Sequence, residues 1–170
     1  MSRHIPNELR GQVREYFLEQ CAYCRAEESL TIVTFEIEHI VPLSAGRQTE
    51  FSNLCLACPA CNRFKSDSVS AADSSGREVS LFHPHEDTWD DHFDWSVGGT
   101  VIVALSRVGE ATLARLRMNR EQVVLVREMW VELDRHPPQV STKSRSERLD
   151  SDALSLEGKS FECAVLVRVG

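Results

Sequence analysis

Two short stretches, "CAYC" (Cys21–Cys24) and "CPAC" (Cys58–Cys61), set four of the six cysteines of this 170-residue chain at Cys-x-x-Cys spacing. Two thiolates from one tight turn subtend the angle a tetrahedral ion requires, and four soft ligands suit Zn²⁺ at a Zn–S distance near ~2.3 Å. A site with four cysteines has no open position, so such a zinc would be structural. Two redox or disulfide pairs are the alternative, but where thiols stay reduced, paired spacing points first to metal. Cys55 and Cys163 lack partners at ligand spacing and read as ordinary buried thiols.

Between and just beyond the pairs lie residues suited to a different chemistry: Glu38 and His39 in "EIEHIVPLS", then Asn53, then Asn62, Arg63 and Lys65 in "CNRFK". A neutral imidazole with a pKa near ~6.5 is a suitable base at neutral pH. A neighbouring carboxylate and an amide oxygen are hard donors that favour Mg²⁺ or Mn²⁺ over softer ions. Each residue also has a plainer reading. Asn62 could cap the helix that follows "CPAC", and Arg63 and Lys65 could form a solvated face.

The elements that must position these residues follow from pattern. Residues 6–20 predict an amphipathic helix, with Leu9, Val13 and Phe17 at helical spacing and Pro6 and Asn7 at its start. "LTIVTFEIEHIV" (30–41) predicts a strand or hairpin ending near His39. Residues 42–50 read as a loop, and 51–66 as a short irregular stretch followed by a helix with Pro59 in its first turn. Residues 67–80, rich in Ser, Ala and Asp, read as a surface loop. Residues 81–95 form an aromatic arm that packs back on the core. A strand over 99–106 and helices over about 109–118 and 120–135 follow, with Asn119 as cap of the second and Gln122 in capping-box position. His83, His85 and His92 invite a second metal site among the arm's acids, although the first two flank a proline in a loop. The apolar stripe of 113–133 is core or oligomer surface.

The pattern "EHIVPLSAGRQTEFSNLCLACPACNRFKS", taken with "CAYC", resembles the HNH (His-Asn-His) endonuclease family over residues 21–66. The resemblance implies an α+β fold: a ββα-metal core around one catalytic divalent ion, braced by a four-cysteine zinc site. An N-terminal helix precedes this core, and residues 81–138 resemble a helical extension found after the motif. It also implies roles. His39 aligns with the general base, Asn53 with the central Asn that holds the loop, and Glu38 and Asn62 with the metal ligands. Arg63 and Lys65 would contact flanking phosphates. Glu38 is one methylene longer than the usual Asp, and Asn62 is a neutral ligand, which again favours Mg²⁺ or Mn²⁺. The implied activity is hydrolysis of DNA phosphodiesters. A noncatalytic zinc-binding module and an RNA-cleaving toxin or defence nuclease are the alternatives.

Charge weakens the case for tight nonspecific DNA binding without removing it. The net charge is −7, yet eight acids against one base lie between Asp67 and Gly99, and acids and bases balance elsewhere. No apolar run approaches the ~20 residues of a membrane span, and "MSRHIPNELRGQ" has no signal-peptide core, so a cytoplasmic location is expected. The domain is expected to cover 1–138. Residues 139–170 read as a linker-like tail rich in Ser and mixed charge, with alternation near the end that fits a terminal strand. Because this tail holds no motif residue, ending the chain after Pro138 should leave nuclease activity largely intact in a cleavage assay. An aggregated or inactive truncate would place the terminal strand in the core.

Overall fold

The computed structural model describes residues 4–138. The linker and terminal strand expected within 139–170 lie outside the described residues, as does Cys163. Among the described residues, helices combine with six short strands that pair as three two-stranded antiparallel sheets. The fold is α+β.

Helix α1 (Asn7–Tyr16) buries Val13, and Phe17 just beyond its end is also buried. The chain then turns through Leu18 and Glu19 at positive φ into the first cysteine pair. The apolar run at 30–41 is only partly strand. Residues 28–30 form a 3-10 turn, Ile32 and Val33 are exposed, and β1 covers Glu36–His39 alone. Its partner β2 (Leu54–Ala57) falls in the stretch expected to be irregular. All four β2 residues are buried, so the strand lacks the alternation by which a half-buried strand is recognised. Glu36 pairs with Ala57 and His39 with Leu54.

Helix α2 (Pro59–Lys65) follows with Pro59 in its first turn, where a missing N–H costs nothing. Its N-cap is Cys58, whose Sγ accepts from Cys61 N at 3.4 Å. Asn62 is therefore not a helix cap. β1, β2 and α2 form a ββα unit.

The loop expected over 67–80 is instead a hairpin, β3 (Ser70–Ala72) with β4 (Glu78–Ser80). Asp73 drives its turn: Oδ1 accepts from Ser75 N, Ser75 Oγ and Arg77 N, and Gly76 supplies positive φ. The aromatic arm packs inward as expected, burying Phe82, Trp89 and Phe93. It contains the short helix α3 (Trp89–His92) and strand β5 (Phe93–Trp95), which pairs with β6 (Ile102–Ala104).

Helix α4 (Arg107–Leu116) is capped by Ser106, whose Oγ accepts from Gly109 N at 3.0 Å. Gly109 lets α4 approach closely, since a Cβ there would lie 2.2 Å from the His92 carbonyl oxygen. Helix α5 (Glu121–Glu132) has Arg120 at its N-cap, with no side-chain cap bond. The expected cap, Asn119, is used elsewhere. Its side chain bonds Ile102 N and O at 2.9 and 2.7 Å and accepts from Arg127. Among the described residues no helix is long and apolar enough to cross a membrane.

Asn119 thus ties β6 to α5. Asn119→Ala would leave a buried Ile102 N–H without its partner, so a loss of about 1–3 kcal/mol is expected in chemical denaturation. An unchanged midpoint would show the bonds to be dispensable.

Candidate metal centre and active site

The two cysteine pairs meet because the first turn is sewn to β2. Ala22 N donates to Leu56 O at 2.8 Å, and Arg25, at positive φ, closes the turn on Cys21 O. The four sulfur atoms lie within 4.8 Å of one another, with Cys24 Sγ and Cys58 Sγ 3.8 Å apart. Four sulfurs at ~2.3 Å from one ion define a tetrahedron with edges of about 3.8 Å. The donor set therefore fits Zn²⁺ in size and softness. Hydrogen bonds from Cys21, Cys58 and Cys61 hold Cys24 well below an ordinary thiol pKa, so one ligand is already favoured as thiolate. Cys55 stands apart, buried against Tyr23 Oη and pushed far up by burial.

The hydrolytic candidates lie on the ββα unit. Asn53 is 3% exposed and makes three side-chain bonds across the base of the loop. Its Oδ1 accepts from Val41 N at 2.9 Å, and Nδ2 donates to Val41 O and Gln48 O, both at 3.0 Å. This clamp fixes the chain immediately after His39. The His39 ring is half-buried, with Nε2 3.0 Å from Thr49 Oγ1, so the same loop supplies a contact that holds the imidazole.

Glu36 and Glu38 share one face of β1 by strand alternation, and α2 lies against it. Lys65 does not reach for solvent. It is 1% exposed, with Nζ 2.5 Å from Glu38 Oε1 and within 3.3 Å of His39 O and Ser66 O. The phosphate contact expected of Lys65 is thus replaced by a buried ion pair. Lys65 is the cation that compensates this buried carboxylate. Burial raises the Glu38 pKa to about 7 against the pull of the Lys65 charge.

One helical turn earlier, Asn62 Nδ2 donates to Glu36 Oε2 at 2.5 Å. An ionised carboxylate only accepts, so it takes the amide's nitrogen and turns Oδ1 the other way. Arg63 is exposed beside it. The α2 ring of Phe64 carries the guanidinium groups of Arg117 and Arg120, each 5.0 Å from its centroid. Oxygen donors at Glu38 and Asn62 suit a hard divalent ion.

Residues 21–68 match the family model described as HNH endonuclease. This segment is similar to an HNH endonuclease motif. The cysteine cluster fits the zinc-containing type, and the ββα unit lies within the matched segment. The match supports nuclease chemistry in general and a nucleic-acid substrate. No curated protein and no solved structure matches the chain.

Four residues around the HNH motif escaped the sequence reading. Glu36 could have been found, because it lies two residues from Glu38 on the same strand face. Thr49, Arg117 and Arg120 carry no local signal, since only the folded loop and the extension bring them near. The histidines of the arm are not a metal site, and no such group of three ligands includes them among the described residues. His85 meets Leu54 O at 2.8 Å and stacks on Tyr16, while His92 Nδ1 lies 2.6 Å from Ser106 Oγ.

Cys21→Ser or Cys61→Ser should lose both bound zinc and cooperative unfolding, because binding energy of a structural zinc is folding energy. Elemental analysis beside a thermal melt checks this. Folded, zinc-free wild-type protein would refute it.

Proposed function

We propose that the protein is a zinc-braced, metal-dependent HNH endonuclease that hydrolyses DNA phosphodiesters, with His39 as the general base. The observation that carries this reading is the Asn53 clamp, which fixes the loop around His39 as a base that must meet its water in one geometry requires. His39, its Nε2 lying 3.0 Å from Thr49 Oγ1, takes the proton of the attacking water. Asn62 Oδ1 and Glu38 hold the catalytic Mg²⁺ or Mn²⁺. Glu36 is a positioning residue that keeps the Asn62 amide turned the right way. When bound, the ion supplies positive charge to the scissile phosphate and leaving oxygen.

Substrate binding rests on basic side chains rather than net charge. Exposed Arg63 and the Arg117–Phe64–Arg120 stack place three cations around α2, within the span of a nucleic-acid backbone. Lys65 serves the fold by holding Glu38 until metal arrives. A cytoplasmic setting, where thiols stay reduced, accords with the four-cysteine cluster.

The test is cleavage of supercoiled plasmid with Mg²⁺, Mn²⁺ or EDTA, with a single-stranded RNA run in parallel. Metal-dependent cleavage of the plasmid is expected, and His39→Ala should slow it ~10²–10⁴-fold with zinc content unchanged. Cleavage of RNA alone would favour a ribonuclease, and no cleavage of either a binding module. Asn62→Ala and Glu38→Gln should raise the metal concentration for half-maximal cleavage, with excess metal recovering part of the loss. Asn62→His should retain activity and accept softer ions such as Ni²⁺. An Asn62→Ala variant with unaltered metal dependence would remove that residue from the site.

A further inference from the structure

Arg127, on α5, is an anomaly of the extension. Its side chain is 1% exposed, yet among the described residues no carboxylate lies within ion-pair distance. Nη1 donates to Thr100 O and Asn119 Oδ1 at 3.1 and 3.2 Å, and the guanidinium lies 5.1 Å from the centroid of Trp95. Nη2 is buried without a hydrogen-bond partner. Two neutral carbonyl acceptors and one ring do not offset a fully buried cation, whose desolvation costs several kcal/mol in order of magnitude. A fold that keeps such a charge has an anion for it.

Among the described residues, the cysteine cluster is a group near Arg127 that becomes a strong anion when loaded. Four thiolates around one Zn²⁺ carry a net double negative charge. The arm leads from that cluster to Arg127: Trp89 Nε1 donates to Tyr23 O, inside the first cysteine turn, at 2.8 Å. The Trp89 and Trp95 rings stand 5.6 Å apart, and Trp95 carries Arg127. Burial lowers the Arg127 pKa most and Arg120 adds to that, while Cys24, Cys61 and Cys21 pull it back up, so the guanidinium lies within electrostatic reach of the cluster.

We infer that Arg127 is the counter-charge of the metal-loaded cysteine cluster, so that zinc retention depends on the extension and the extension's packing depends on zinc. This rests on the four cysteines holding zinc. Both partners then gain, since the cation is no longer buried alone and the thiolates lose part of their mutual repulsion. Outer-shell partners hydrogen-bonded to the ligands change metal affinity ~10–100-fold, and a through-space counter-charge is expected at the low end of that range.

The experiment is zinc release from the full chain to a chromophoric chelator, compared for wild type, Arg127→Met and Arg127→Lys. Release from Arg127→Met should be at least about tenfold faster than from wild type, and slower again from Arg127→Lys, which restores the charge. Wild-type release from Arg127→Met overturns the inference, and so does an Arg127→Lys variant as leaky as the methionine one. Should Arg127→Met not fold, Arg127→Lys decides against wild type: under tenfold acceleration supports the assignment, and tenfold or more overturns it. Wild-type protein that binds no zinc would instead sink the reading of the cluster itself.

Discussion

The four sulfur atoms of Cys21, Cys24, Cys58 and Cys61 form the contact on which the rest of the molecule depends. They join the turn after α1 to the start of α2, two segments separated by more than thirty residues. Everything between them, β1, the clamped loop and β2, is thereby enclosed in one short circuit. A two-stranded sheet is marginal in water by itself. Here it is held from one side by the cysteine turn, through the Ala22–Leu56 bond, and from the other by α2. The cluster thus sets the geometry in which the proposed chemistry takes place.

The same unit separates two kinds of buried polarity. Asn53 is neutral and fully hydrogen-bonded, which makes it a rigid fastener. Glu38 and Lys65 are a buried ion pair, whose members compensate each other and are costly to separate. Arg127 is a buried cation without such a partner among the described residues.

Much of this was legible in the sequence, and the failures have physical causes. The cysteine spacing and the Pro59 helix start were readable because each depends on local geometry. Strand β2 was not, since burial on both faces erases alternation. The β3–β4 hairpin hid because its strands are short and mostly small residues, although Asp73 and Gly76 carried the turn signal. Asn119 has the cap residue type at the cap spacing, but the tertiary bond to Ile102 outcompeted the local one. Lys65 looked like a surface cation because nothing local shows that Glu38 lies beneath it.

The Asn53 clamp has a consequence for how this protein tolerates change. The loop after His39 is pinched shut at its base, where one amide grips Val41 and Gln48, while Ser44, Ala45, Gly46 and Arg47 lie exposed beyond the grip. Lengthening a closed loop costs little entropy, about 0.6 kcal/mol per doubling. The tip is therefore insulated from the end of β1. It is a place where sequence drift, or a grafted segment, alters the exposed surface without moving the proposed base, His39.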